Sequence, residues 1–314
     1  MNYKEIMGRR VSAMSLGTVQ LGMNYGIANQ EGKPGREKCF AILDAAFEGG
    51  VNALDTARAY GDSEEVLGAY FARSPGKAER AFITTKLSSG LPPGTAAAEV
   101  ERALFRSAET SLEKLGLPRI NCFLLHNAED MAHGPVTARV LRRLVRENYA
   151  DMAGVSVYHP EETGIMLQDD VYRAIQIPLN LFDQRFILSG ALEQLRQRDV
   201  HIFVRSVFFQ GLFFLDPERV GDPDLLRCAV PHIKTLMRLS EEGGMSTGQF
   251  AVSFLRDIPG ISSLVLGADN PEQVLRNAAF FEAPPLPDAL RRKAEDAFKN
   301  VNYPGIMAVL SRPK

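Results

Sequence analysis

Three apolar, β-prone runs each end on a group that can carry charge or move a proton. Leu54-Asp55-Thr56-Ala57-Arg58-Ala59-Tyr60-Gly61-Asp62-Ser63-Glu64 follows Gly50-Val51-Asn52-Ala53 and presents an aspartate, then a tyrosine on a small-residue loop. Phe82-Ile83-Thr84-Thr85-Lys86 ends on a lysine, and Asn121-Cys122-Phe123-Leu124-Leu125-His126 on a histidine. A phenol has a reference pKa of about 10 and exchanges protons near neutrality only if a cation stabilises its anion. An ammonium beside the phenol lowers that pKa, and a carboxylate beside the ammonium holds it in place and charged. A histidine on the next strand end can orient a carbonyl oxygen toward the phenol. Asp55, Tyr60, Lys86 and His126 are thus candidate catalytic residues for protonating a carbonyl oxygen while hydride reaches its carbon. No side chain supplies hydride, so this chemistry requires a nicotinamide cofactor.

Each residue alone has an ordinary reading. A strand-end aspartate caps a helix or shapes a turn, a lysine is solvated, and a single histidine is a satisfied polar group. Their coincidence at three successive strand ends singles them out, because α/β proteins build sites at the carboxyl ends of strands.

The elements that must position them alternate along the chain. Strand patterns cover 11–16, 51–54, 81–85, 120–125, 152–157, 174–177, 200–204 and 262–266. Helical patterns cover 37–48, 63–72, 96–115, 136–147, 161–168, 188–198, 224–242 and 247–257. Strand-then-helix repetition predicts a parallel sheet covered by helices, and eight strands fit a closed (β/α)8 TIM barrel better than an open doubly wound sheet. No Gly/Ser- or Pro-rich linker divides the chain, so one barrel domain over 1–314 is expected, with a helical C-terminal extension at 288–300.

Composition excludes several classes. Of 314 residues, 45% are hydrophobic and 24% charged, an ordinary globular balance. Lys plus Arg number 36 against 38 Asp plus Glu, so no basic field points to nucleic acid. Cys39, Cys122 and Cys228 are scattered, which argues against a disulfide framework and for a reducing compartment. The polar N-terminus lacks a signal-like apolar region, and no apolar run approaches the ~20 residues of a membrane span. A cytoplasmic protein without membrane or nucleic-acid partners is expected. The five histidines show no metal-ligand spacing.

The motif Asp55-Thr56-Ala57-x-x-Tyr60-Gly61-x-Ser63-Glu64-x-x-Leu67-Gly68, with Lys86 and His126 at matching strand ends, resembles the aldo-keto reductases. Ser15-Leu16-Gly17-Thr18-Val19-Gln20-Leu21-Gly22 is similar to that family's opening hairpin and first loop, which places Gly17, Thr18 and Val19 beside the cofactor. The resemblance spans essentially the whole chain. It implies a barrel with an N-terminal hairpin, and NADP(H)- or NAD(H)-dependent interconversion of a small-molecule carbonyl and its alcohol. In that reading Tyr60 is the acid/base, Lys86 with Asp55 tunes it, and His126 positions the substrate. A Schiff-base aldolase using Lys86 and a non-enzymatic cofactor-sensing subunit are the competing readings.

The cofactor end carries its own pattern. G-x-G-x-x-G and Walker A motifs are absent. Leu264-Val265-Leu266-Gly267-Ala268-Asp269-Asn270-Pro271-Glu272-Gln273 instead runs from a strand into a helix start that favours phosphate, although an ordinary strand-turn-helix connection reads the same way. The resemblance assigns Gly267, Ala268, Gln273 and Asn277 to adenosine and phosphate contacts. It assigns Ser156, Gln176 and Asn180 to the nicotinamide amide, and Ser206, Gln210 and Gly211 to the loop over the pyrophosphate. Two positions depart from the family. Asp269 and Asn270 stand where many relatives place basic or polar partners of the NADP 2′-phosphate; a carboxylate there repels phosphate and suits a ribose hydroxyl, which makes NAD plausible. Arg205 stands where an aromatic ring often stacks on the nicotinamide, so the stacking group is Arg205 itself or a displaced aromatic such as Phe208. The run Phe203, Phe208, Phe209, Phe213, Phe214 reads equally as substrate pocket or core. Lys33, Arg36 and Arg58 can face an anionic substrate or only solvent.

Overall fold

The computed structural model describes residues 1–27, 29, 32–87 and 90–312. Strands β1 (Tyr3–Ile6) and β2 (Arg9–Ser12) form an antiparallel hairpin. Eight parallel strands then close into a barrel in chain order: β3 (Met14–Gly17), β4 (Ala53–Asp55), β5 (Phe82–Lys86), β6 (Ile120–Leu125), β7 (Ala150–Ser156), β8 (Tyr172–Pro178), β9 (His201–Arg205) and β10 (Ile261–Gly267), which pairs back onto β3. Helices fill the connections, and Asp288–Phe298 and Tyr303–Leu310 extend the C-terminus. This is the expected (β/α)8 barrel with hairpin and helical extension.

Side-chain parity explains where the site forms. Every residue of β6 is buried, as expected of a parallel strand covered on both faces. Cys122 and Leu124 pack inside the barrel with Ala53, Phe82, Met152, Ala174 and Phe203, while Phe123 and Leu125 join the layer under the helices. A period of two carries that inner face from Ala53 to Asp55, from Phe82 through Thr84 to Lys86, and from Leu124 to His126. It likewise leads from Ala174 to Gln176 and from Phe203 to Arg205. The outer layer follows helical periodicity: Ala97–Leu115 buries Val100, Leu104, Ala108, Ser111 and Leu115 and stops at Gly116, whose φ is 63°.

The hairpin closes the opposite end. Ile6 and Val11 are fully buried in the inner cluster. Arg9 Nη1 donates to the Ala81 carbonyl at 3.1 Å and Ser12 N to Asn52 Oδ1 at 2.8 Å, just before β5 and β4. The expected single strand at 11–16 is therefore two elements turning at Ala13. Ser12 Oγ holds the corner, donating to Met14 O at 2.6 Å and accepting from Asn52 N and Ala53 N. The pattern at 224–242 likewise divides into Pro223–Cys228 and Val230–Glu242, because Pro231 lacks the N–H needed to continue the first helix. That at 188–198 divides at Gly190, whose φ is 76°, into Arg185–Leu188 and Ala191–Gln197.

A short helix, Val19–Gly22, lies directly on the loop that carries Tyr60. A Cβ on Gly22 would overlap the Tyr60 carbonyl oxygen, and one on Gly61 (φ 58°) would overlap the Gly22 carbonyl. Gly22→Ala is expected to cost about 3 kcal/mol of stability, an overpacking penalty against backbone that cannot rotate away. Urea denaturation measures this, and an unchanged midpoint would show that the two loops separate freely.

Candidate active site

Asp55, Tyr60, Lys86 and His126 meet at the carboxyl-terminal mouth of the barrel. Lys86 is 0% exposed. Its Nζ donates to Asp55 Oδ1 and Oδ2 at 2.9 and 2.8 Å, to the Thr56 carbonyl at 2.9 Å and to Tyr60 Oη at 3.4 Å. The Tyr60 and His126 rings meet edge to face, 6.0 Å apart at 81°. Gln176, expected at the nicotinamide amide, donates from Nε2 to Asp55 Oδ1 at 2.7 Å.

Burial and charge compete at each group. Burial pulls the Lys86 ammonium down, but the charges of Asp55 and Tyr60 and their hydrogen bonds outweigh it and hold Lys86 above its ordinary pKa. Burial pushes Tyr60 up; Lys86 and Arg205 oppose it, Asp55 adds to it, and the phenol lies above its ordinary value. The expected lowering of Tyr60 is thus not the direction found in this state. The physical reason is burial, which outweighs a Lys86 that is shared with Asp55 and reaches the phenol by its longest hydrogen bond. Burial, then the charge of Lys86, brings His126 down to about 4, so its imidazole is neutral at pH 7. Its Nδ1 is buried and makes no hydrogen bond among the described residues.

Behind these groups lies a buried polar bracket. Glu64, in the first turn of the helix Ser63–Arg73, accepts from Arg58 Nη1 at 2.8 Å and from Thr85 Oγ1 at 2.7 Å. Arg58 N donates to Lys86 O at 3.3 Å. Ser63 Oγ donates to the Thr18 carbonyl at 3.0 Å, and Thr18 Oγ1 to the Asp55 carbonyl at 2.9 Å. Arg58 therefore does not line the cavity and is largely buried against Glu64; it ties the Tyr60 loop to β5. Lys33 pairs with Asp62 at 2.6 Å.

A cavity of about 740 Å³ opens over the four residues. Among the expected cofactor residues, Gly17, Val19, Asp55, Ser156, Gln176, Arg205, Ser206, Phe208, Gln210, Gly211, Gly267, Asp269, Gln273 and Asn277 line it. Thr18, Asn180 and Ala268 do not. Thr18 braces Asp55, and Ala268 is buried. Asn180 donates to Ser206 O at 3.1 Å and accepts from Phe182 N and Asp183 N, so it shapes the loop from behind. Ser206, Phe209 and Gln210 have φ of 63°, 49° and 57°, a strained left-handed path for side-chain-bearing residues. The Gln210 carbonyl accepts from Ile27 N at 3.1 Å. Phe203, Phe209 and Phe213 are core, whereas Phe208 and Phe214 reach the cavity.

At the far end Asn270 caps the helix Pro271–Ala279, accepting from Gln273 N at 2.8 Å, and Gln273 Oε1 accepts from Asp269 N at 2.8 Å. Gly17, Gly211 and Gly267 line the wall, and the volume lies within the ~300–1,000 Å³ usual for ligand sites. A dinucleotide fits this donor set and space. Sequence reasoning missed Tyr25, Tyr158, Gln20, Arg276 and Phe280, which also line the cavity. Tyr25 and Tyr158 lie on loops, where no periodicity marks them. No described cluster of His, Cys, Asp or Glu could hold a metal, and no described helix is long and apolar enough to cross a membrane.

A parallel eight-stranded barrel, plugged by a hairpin at one end and open at the other onto buried ionisable groups, places this protein among the (β/α)8 barrels. The Aldo/keto reductase family model matches residues 13–294, and the chain belongs to that family of carbonyl and alcohol oxidoreductases. It is 27% identical over 300 residues to L-glyceraldehyde 3-phosphate reductase of Escherichia coli (strain K12), covering 86% of this chain and 84% of that protein. Its fold matches the glycerol dehydrogenase from Gluconobacter oxydans with a TM-score of 0.76 at 22% identity, covering 96% and 95% of the two chains. An aldo-keto reductase from Bacillus halodurans, solved in a holo form, matches with a TM-score of 0.75 at 20% identity, covering 95% and 96%.

Two predictions follow from the buried groups. Glu64→Ala strands the largely buried Arg58 guanidinium and is expected to cost about 3 kcal/mol, with Glu64→Gln costing less, by denaturant unfolding. For His126 the folded value near 4 lies below the unfolded 6.5, so between these pH values the unfolded state binds more protons. Stability therefore falls as pH drops from 6.5 toward 4, and His126→Asn should flatten that slope. An equal slope in the variant would assign the acid sensitivity elsewhere.

Proposed function

We propose that the protein interconverts an aldehyde or ketone and its alcohol using NAD(P)(H), with Tyr60 as the general acid/base. The observation that carries this reading is the fully buried Lys86–Asp55 ion pair directly against the Tyr60 hydroxyl. In reduction, Tyr60 Oη–H protonates the carbonyl oxygen as negative charge develops there. Lys86 stabilises the phenolate that results, and Asp55 keeps Lys86 protonated and pointing at Tyr60. The neutral His126 ring orients the carbonyl by hydrogen bonding without adding a second cation. Alcohol oxidation runs the same proton transfer backwards. A nicotinamide cofactor, when bound, supplies or accepts the hydride. Ser156 and Gln176 would hold its amide end, Ser206, Gln210 and Gly211 its pyrophosphate, and Gly267, Asp269, Gln273 and Asn277 its adenosine end.

Lys86 works against the aldolase reading. An ammonium held charged by Asp55, with its hydrogens committed to Asp55, Thr56 O and Tyr60, offers no lone pair for imine formation. The relative from E. coli, named for L-glyceraldehyde 3-phosphate, supports a short polar aldehyde as substrate.

Tyr60→Phe should lower kcat about 10³-fold while cofactor affinity, followed by nicotinamide fluorescence, stays within a few-fold. Lys86→Met should be as severe, because it removes the cation that stabilises the phenolate. Wild-type turnover in Tyr60→Phe would overturn the assignment, and cofactor binding without turnover across a broad carbonyl panel would favour a sensor. The Asp269 carboxylate at the adenosine end should make kcat/KM with NADH at least equal to that with NADPH. A large NADPH preference sinks that assignment.

A further inference from the structure

The cations around the cavity are not equivalent. Lys86 is neutralised by Asp55, Arg58 by Glu64 and Lys33 by Asp62. Arg276 projects from the helix Pro271–Ala279 at the adenosine end. Arg205, the last residue of β9, lines the same cavity half-buried on the inward face. Among the described residues its guanidinium donates only to neutral acceptors, the Val157 carbonyl at 3.1 Å and, at the limit of a hydrogen bond, Ser206 Oγ at 3.4 Å. It sits over the Tyr158 ring, its central carbon 4.3 Å from the centroid, and no carboxylate pairs with it among the described residues. Its charge is felt at Tyr60, His126 and Tyr25, which places it on the reaction side of the cavity.

A guanidinium carries five N–H donors in a rigid fork. Here two are used on neutral oxygens and the Tyr158 ring covers the group, so it is held in place before any ligand arrives. A half-buried cation with spare donors and no counter-ion is a receptor for an oxyanion. Among its ionisable neighbours, burial holds the phenols of Tyr25, Tyr60 and Tyr303 above their ordinary pKa and keeps His126 neutral, whereas the Asp55 carboxylate is occupied by Lys86 and Gln176.

We propose that Arg205 is a specificity residue that binds an anionic group, a phosphate or carboxylate, on the carbon chain of the carbonyl substrate. The proposal rests on the reductase reading above and narrows its substrate class to short aldehydes or ketones bearing that anion. The same oxyanion chemistry could come from the cofactor's pyrophosphate, and the test separates the two sources.

The test compares glyceraldehyde 3-phosphate with glyceraldehyde, matched in carbon chain, in the wild type and in Arg205→Gln with saturating cofactor. Wild-type kcat/KM should favour the phosphorylated aldehyde by about 10- to 100-fold, the worth of hydrogen bonds to a charged group. In Arg205→Gln that ratio should fall toward about 1, whatever the absolute rates. An unchanged ratio, or no preference in the wild type, overturns the proposal. An equal loss on both aldehydes together with weakened cofactor affinity also overturns it and gives Arg205 to the cofactor. If neither aldehyde turns over, the reductase reading is judged by the broad carbonyl panel, and titration calorimetry with glycerol 3-phosphate decides the role of Arg205 independently of it. Binding weakened tenfold or more in Arg205→Gln upholds the anion site; absent or equal binding refutes it.

Discussion

The site depends on one constraint: a lysine ammonium with no solvent exposure must have a carboxylate within hydrogen-bonding reach. Taking an ion out of water costs several kcal/mol, which Lys86 alone would escape by losing its proton. Asp55 prevents that, because its attraction outweighs burial and holds Lys86 above its ordinary pKa. Barrel geometry makes the pairing possible. In the parallel register Asp55 stands opposite Thr84, so the inward Lys86 rises two residues higher and reaches back across the strand gap. Gln176 from the far wall and the Thr56 carbonyl complete the hydrogen bonding. A slip of one residue in β4 or β5 would turn one partner outward and leave the other charge buried and unpaired.

Tyr60 inherits its position from this pair and from the parts that bracket its loop. Gly22 and Gly61 allow two backbones to touch, while Glu64 joins the loop to β5 through Arg58 and Thr85. The phenol itself makes only a long hydrogen bond to Lys86, and burial holds its pKa up. A phenol that keeps its proton beside a charged ammonium suits the proton transfer proposed for it, because negative charge arriving on it would be stabilised by Lys86.

The cavity separates these committed charges from an uncommitted one. The ionic groups below Tyr60 are paired and rigid, whereas the wall at Arg205, Tyr158 and Tyr25 is built from loops and strand ends with donors to spare. That division matches the two tasks of such a site: proton transfer needs a fixed field, and substrate choice needs an adjustable rim. The strained backbone at Ser206, Phe209 and Gln210 and the Asn270-capped helix frame the remaining wall from opposite sides.

The alternation of strand and helix patterns, and the four ionisable groups closing three strands, were legible without coordinates. Period-two alternation is local, so the parity that turns Asp55, Lys86 and His126 inward is written in β4, β5 and β6 themselves. Breaks without a local marker were not legible: Ser12 turns the chain through side-chain hydrogen bonds to Asn52 and Ala53, forty residues away. Partner choice was equally hidden. Arg58 reads as a solvated or substrate-facing cation and Arg205 as a stacking group for the nicotinamide, yet the first is spent on a buried glutamate and the second meets no acid among the described residues. Thr18 and Asn180 brace the cavity from behind, and Gln176 holds Asp55. Residue type and spacing determined which chemistry was available and which strand ends would carry it. Only the closed barrel decided which charges cancel, because pairing depends on distances between strands that the order of residues along one strand does not contain.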